Sequence, residues 1–341
     1  MGTIGIIANP ASGKDVRRLV ARASVFDNQE KQAIVGRALA GIAATAGTSC
    51  RLAYFDDPHG IARSAVAGAE LEPLAESVAG PGTVSALDTI HAARRLRALD
   101  CAVVLTLGGD GTNRAVALGW RDAPLIPIST GTNNVFPVLV EATVAGAAAG
   151  LVAGGRVTLE EVAHRTKVVR VEIDGESDDL ALIDAVLSGE RFVGARALLA
   201  PEHLRSALLT RADPAAVGMT AVGGLIDPLT DREDGGLLLQ FGPDGEPLNA
   251  PIAPGYYRPV PIMAHRRIAM NQVVELEGPG VLAFDGERER VLKPGQRVRM
   301  CVERTGPWVI DVDATLNRAA RRGSFRPAAG PRDHDERING A

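Results

Sequence analysis

The sequence predicts an α/β chain in two parts, a parallel α/β part followed by a β-rich part. Up to about residue 155, continuous apolar runs alternate with helical patterns. Such runs between helices mark a parallel sheet covered on both faces. Beyond that point, short runs alternate apolar and polar residues between Gly, Pro and Asp turns, as half-exposed antiparallel strands do. Glycine-bearing polar loops also close three of the early runs, as in an open sheet that binds ligands beyond its strand ends. The first part is therefore read as Rossmann-like.

In order, "TIGIIAN" reads as a buried strand and "DVRRLVARA" as helical. Asp27 starts a helix, with Glu30 placed to answer the cap. "CRLAYFDD" is a second strand, and "ALDTIHAARRLRALD" an amphipathic helix capped near Asp88. "CAVVLTL" and "APLIPIS" are a third and a fourth strand, and 132–153 is mostly helix. In the second part, "KVVRVEID", "LALIDAVLS", "GLLLQF", "QVVELEG", "VLAFDG", "QRVRMCVER" and "WVIDVD" are strands, interrupted by one helix near 201–210. "ATLNRAARRG" is a final helix. The expected division is 1–155, 156–305, and a segment 306–322 packing back on the first part. The polar, Pro-containing tail 323–341 is expected to be disordered.

Composition narrows the function classes. The chain has 341 residues and a net charge of −4, so no global basic field draws it to nucleic acid or anionic lipid. Cys50, Cys101 and Cys301 are far apart and form no CxxC pattern, which suits reduced thiols in a cytoplasmic protein. The N-terminus lacks the basic region of a signal peptide. "TVAGAAAGLVAGG" is shorter than the ~18 apolar residues of a spanning helix and reads as a packed Ala/Gly helix. No stable membrane association is expected. The six histidines show no metal-ligand spacing, and no GxSxG elbow is present.

The motifs carry the chemistry. "GGDGT" places Gly108, Gly109 and Gly111 around Asp110, between a strand and a helix. Turn amides and a helix N-terminus there favour phosphate, and Asp110 could take a proton from an attacking hydroxyl. The alternative is a tight turn with Asp110 as a cap. "ANPASGKD" offers Asn9, Ser12, Gly13 and Lys14, but Ala8 and Asp15 break the P-loop pattern at both ends. A polar βα loop is the alternative. "PISTGTNN" brings Thr130, Gly131, Thr132 and Asn133 to a helix start, where ordinary capping would also explain them. These three loops follow strands expected side by side, so all three open on one sheet edge. "AFDGERER" is a hairpin signal, or else Asp285 and Glu287 reach across a cleft. "DPAAVGMTAVGG" fits a packed helix start or a backbone close to a flat ligand.

NPxSGK, GGDGT, PxxTGTxN and a late DGE, in that order, resemble the NAD kinase and diacylglycerol kinase superfamily over residues 3–315. The first loops look like the lipid-kinase branch. "DPAAVGMTAVGG" and "ALIDAVL" look like the NAD kinases, with Ile183 in place of their asparagine and Val222 in place of a tyrosine. The whole pattern, with "ASVFDNQEK" and "PIAPGYYRPV", is most similar to bacterial ATP-NAD kinases of the acetoin-catabolism protein X type. The resemblance implies a nucleotide-binding domain before a β-rich acceptor domain, with ATP and Mg2+ as cofactors. It makes Asp110 the base. Asn9, Ser12, Gly109, Gly111, Thr112, Thr130 and Asn133 line the donor site, with Gly13, Lys14, Gly108, Gly131 and Thr132 in the same loops. Asp184, Thr220 and Ala221 face the acceptor, and Asp285 or Glu287 closes the site. The acceptor implied first is NAD. A lipid or other small alcohol stands second, and a non-catalytic nucleotide sensor third. NAD kinases of this kind are commonly homo-oligomers.

Overall fold

The computed structural model describes residues 2–12, 26–131, 133–189 and 200–326. Gly13, Lys14, Thr132, the "DVRRLVARA" helix and most of the tail lie outside them.

Seven strands form the first sheet. They are β1 (Gly2–Ala8), β2 (Cys50–Asp56), β3 (Ala75–Ala79), β4 (Cys101–Gly108), β5 (Pro124–Ser129), β6 (Ala163–Arg165) and β17 (Trp308–Ile310). Their order is β3-β2-β1-β4-β5-β17-β6, with only β6 antiparallel to its neighbour. Strands β1, β4 and β5 therefore lie side by side, and their loops share one edge. Alternation along β4 serves both faces: Val103, Leu105 and Leu107 enter one core and Val104 the other. On the first face lie α1 (Asn28–Ala46), α2 (Ile61–Val66) and α5 (Ala142–Ala153). On the second lie α3 (Ala86–Ala98) and α4 (Asp110–Gly119). Helix α5 is the "TVAGAAAGLVAGG" segment. A side chain at Gly41 would collide with Thr143, and one at Gly146 with Ala38, so α1 and α5 touch at their backbones. Among the described residues, no helix is long and apolar enough to cross a membrane.

The rest is antiparallel. After the short α6 (Leu159–Val162) come β7 (Val168–Ile173), β8 (Asp179–Ala181), β9 (Asp184–Ser188), β10 (Leu204–Leu209) and α7 (Met219–Gly224). The long hairpin β11 (Gly236–Ala253) and β12 (Tyr256–Ile268) follows. Then come β13 (Val274–Glu277), β14 (Gly280–Phe284), β15 (Glu287–Leu292) and β16 (Arg297–Glu303). They make a six-stranded sheet, β12-β11-β10-β9-β14-β15, and a four-stranded one, β13-β16-β7-β8. A core including Val169, Val171, Leu187, Leu208 and Val298 lies between the two sheets. The chain then returns, adding β17 to the first sheet and packing α8 (Val312–Arg321) on α5.

Several expectations are corrected. The helix expected near 201–210 is strand β10, with only a single turn at Pro201–His203. Ala207 and Leu209 enter one core and Leu208 another, so an unbroken apolar run serves two faces with period two. "LALIDAVLS" is two strands, because the chain changes sheets at Leu182–Ile183. "WVIDVD" stops as a strand at Ile310, where Asp311 caps α8 through the Ala314 N–H. The helix in 132–153 begins only at Ala142, after an irregular stretch held by Phe136 and by bonds from Val138 to β5. Asp27 caps α1 through the Glu30 N–H, but the Glu30 carboxylate pairs with Arg37.

Candidate active site

Three loops leave β1, β4 and β5 together and are bonded to one another. Asn9 Nδ2 donates to Thr112 Oγ1 at 2.8 Å, and the Ser12 and Thr130 hydroxyls are 3.0 Å apart. The loop after β1 is thus tied to both others. Beneath it lies Lys31 of α1, 0% exposed. Its ammonium donates to the carbonyls of Asn9 (2.9 Å), Pro10 (3.3 Å) and Ser12 (2.7 Å). A buried ammonium has to spend its donors on acceptors of this kind.

The glycines of "GGDGT" make room rather than bend the chain. A Cβ at Gly108 would collide with Thr112, one at Gly109 would lie 2.7 Å from Asn134 Oδ1, and one at Gly111 would lie 2.8 Å from Glu287 Oε1. The last contact brings the β14–β15 hairpin of the second part onto the first turn of α4. Gly131 is buried in the third loop, where its carbonyl accepts from Ser129 Oγ at 2.8 Å. Asn133, half-buried, follows in the same loop.

Asp110 is the first residue of α4, after Gly109 at the N-cap. Its carboxylate accepts from the Phe136 N–H at 2.7 Å and from the Val135 N–H at 3.0 and 3.2 Å. Asn134 between those loops donates to Ser129 Oγ at 2.8 Å. Below Asp110, Asn113 donates to Gly109 O and accepts from Thr106 Oγ1 at 2.7 Å. The acid is therefore oriented by main chain from a different loop, at the strand edge where α4 begins.

Asp285 and Gly286 have φ of 50° and 81°, the left-handed pair of a tight hairpin turn. The Asp285 carboxylate, buried, accepts from the N–H groups of Leu182 (2.9 Å), Ile183 (2.7 Å) and Asp184 (3.2 Å). Burial pushes this carboxyl up to about 7, against the Arg114 guanidinium and the N–H donors, and the nearby Asp110 charge adds to the rise. Arg114, one helical turn after Asp110, pairs with Asp179 Oδ1 at 2.7 Å and lies 4.9 Å from the Phe284 ring centroid. The hairpin signal and the reach across to α4 are both present, but Asp285 is turned to main chain and Glu287 is the carboxylate beside Gly111. Asp184 is buried at the start of β9, where its carbonyl accepts from Asp285 N. Thr220 and Ala221 are buried in α7, which packs on β11. Ile183 sits in the apolar cluster with Leu182 and Phe136 rather than at a polar surface.

Sequence reasoning missed Lys31, Arg114, and the Val135 and Phe136 amides. A lysine in a helical pattern reads as solvated, and a main-chain donor leaves no trace in a motif. The one available signal was position, since Arg114 stands four residues after Asp110 on the same helix face.

Two family models match the chain. The ATP-NAD kinase N-terminal domain matches residues 4–157, and the acetoin catabolism protein X C-terminal domain matches residues 167–305. Acetoin catabolism protein X of Cupriavidus necator is 35% identical over 347 residues, covering 96% of this chain and 95% of that protein. The chain belongs to the acetoin catabolism protein X family. With its NAD kinase domain, this family member is a kinase of the wider superfamily, a phosphotransferase acting on hydroxyl groups. Its fold is that of yeast NADH kinase, solved with NADH, at a TM-score of 0.54 and 12% identity over 100% of this chain and 90% of that one. A diacylglycerol kinase of Bacillus anthracis gives a weaker likeness, TM-score 0.49 at 12% identity over 91% of this chain and 96% of that one.

Proposed function

We propose that the chain transfers the γ-phosphate of ATP to the adenosine-ribose 2′-hydroxyl of NAD, giving NADP and ADP. The observation that supports this most is the lacing of three strand-end loops around an oriented Asp110. In this reading Asn9, Ser12, Thr112, Thr130 and the helix α4 N-terminus receive the donor phosphates. Asp110 takes the proton of the acceptor hydroxyl as its oxygen bonds to the γ-phosphorus. The bond from that phosphorus to the bridging oxygen breaks, and ADP leaves. Magnesium fits the donor set, because it needs only one or two carboxylates besides substrate phosphates and water. Glu287, whose carboxylate lies beside Gly111 at the first turn of α4, would hold it, leaving Asp110 free as the base, and it would offset charge on the donor.

One observation favours a second reading. Val138 and Leu139, on the segment that leaves Phe136, are 59% and 66% exposed. An alcohol with an apolar body would use that surface, and buried Ile183 removes a polar contact that NAD kinases resembling this chain carry. Labelled ATP offered with NAD, NADH, diacylglycerol and sugars separates the two. NADP formation supports the first, and product from a lipid alone transfers the assignment to the second.

A further inference from the structure

A second charged cluster meets the ring of Phe136, the residue whose main-chain N–H holds Asp110. Arg211 follows β10 almost directly and lies 5.9 Å from the Phe136 ring centroid. Its Nη2 is 3.2 Å from Asp231 Oδ1, and Asp231 Oδ2 is 2.8 Å from His164 Nε2. The loop bearing Asp231 is pinned from two sides. Lys167 Nζ donates to the carbonyls of Thr230 (3.0 Å), Glu233 (2.7 Å) and Gly235 (3.0 Å). Arg304 donates to those of Asp231 (3.0 Å) and Glu233 (3.2 Å). Burial alone would raise the Asp231 carboxyl, but the His164 hydrogen bond and the Arg211 and Lys167 charges bring it to about 2, so it stays an anion. From Lys167 to Arg211 the links are the main-chain carbonyls of the 230–235 loop and then the Asp231 carboxylate, which is ion-paired with Arg211.

The chain of contacts ends on the residue whose N–H holds the candidate base. Phe136 is buried under Arg211, and its amide gives Asp110 the shorter of its main-chain bonds, 2.7 Å. We propose that Arg211 is a positioning residue for Asp110. Fixed by Asp231, its planar guanidinium holds the Phe136 ring and so the two amides that orient the carboxylate. A lysine could pair with Asp231 but has no flat face to lay against the ring. The effect on turnover rests on the kinase reading, whereas the hold on residues 135 and 136 does not.

Hydrogen exchange of the full chain, with ATP titration and steady-state kinetics, tests this in Arg211→Met, Arg211→Lys and Asp231→Asn. In Arg211→Met the Val135 and Phe136 amides are expected to exchange ~10-fold faster, with β4 unchanged, as a local opening would give. Arg211→Lys should fall between, and Asp231→Asn should follow Arg211→Met. kcat should drop ~10-fold with ATP affinity kept within ~3-fold, the split of a group acting on the reacting centre rather than on the donor. Unchanged exchange at 135 and 136, or equal acceleration in β4, overturns the proposal. If Arg211→Met does not fold, Asp231→Asn decides in the same way. A wild-type chain inactive on every acceptor breaks the kinase reading and leaves the exchange comparison standing.

Discussion

On the parallel-sheet side of the site, side chains bond to side chains: Asn9 to Thr112, and Ser12 to Thr130. On the antiparallel side, charged side chains bond to main chain. Asp285 collects three N–H groups, and Lys167 three carbonyls. The difference follows from what each side must hold. Parallel strands end in loops of similar height, so short polar side chains reach across. The antiparallel part changes sheets at Leu182–Ile183, where the backbone leaves donors that no neighbouring strand takes, and a buried carboxylate takes them. Lys31 is an exception on the first side, since it too clamps carbonyls, and so is Asp110, which accepts from the Val135 and Phe136 N–H groups.

Four substitutions break or sharpen this contrast. The largest effect is expected at Asp110→Asn. Turnover should fall at least ~100-fold while ATP binds nearly as well, the scale of lost general-base help. Kinetics beside an ATP titration check it, and near-normal turnover removes Asp110 from the chemistry. Gly109→Val comes next. Its branches would strike Asn134 and unlace the third loop, so ATP affinity should fall by ~10-fold or more, about 1.4 kcal/mol. Unchanged affinity would mean that the loop only turns the chain.

Lys31→Met tests the first of these exceptions. It leaves buried carbonyls without their donor, at ~1–3 kcal/mol of stability, and should weaken ATP binding because the loop after β1 loosens. Denaturant unfolding and ATP titration measure the two, and a variant as stable as wild type sinks the clamp. The smallest effect belongs to Asp285→Asn. With its folded value raised from 3.8 to about 7, the carboxyl contributes stability that is fully present below ~4 and lost as pH rises through ~7. Asparagine does not titrate. The melting-temperature gap to wild type should therefore be widest near pH 4 and narrow by ~2 °C or more towards pH 7. A gap that widens with pH would show that the buried carboxyl stays ionised.

The loop-bearing edge of the parallel sheet was legible from the sequence. "GGDGT" after "CAVVLTL" locates the start of α4, and the order of apolar runs brings β1, β4 and β5 together. The antiparallel part was read less well. "LALIDAVLS" gives no sign that it changes sheets, and "LRSALLT" reads as helix because both faces of β10 are buried. Asp285 was visible as a turn residue, but not as the group that satisfies three amides.

What the sequence determined by itself is therefore local: where apolar runs stop, which loops carry glycine beside polar groups, and which acid opens α4. Those features depend on residues within a turn of one another. Only the tertiary structure decided what the charged residues touch. Lys31 reaches Ser12, Arg114 reaches Asp179, Lys167 reaches Gly235 and Arg211 reaches Asp231, 19 to 68 positions away, and the two lysines bond mostly to main-chain atoms. Every residue carries such atoms, so no residue type marks where they will be needed. Burial makes the choice, by leaving each cation only the acceptors that the fold brings within reach.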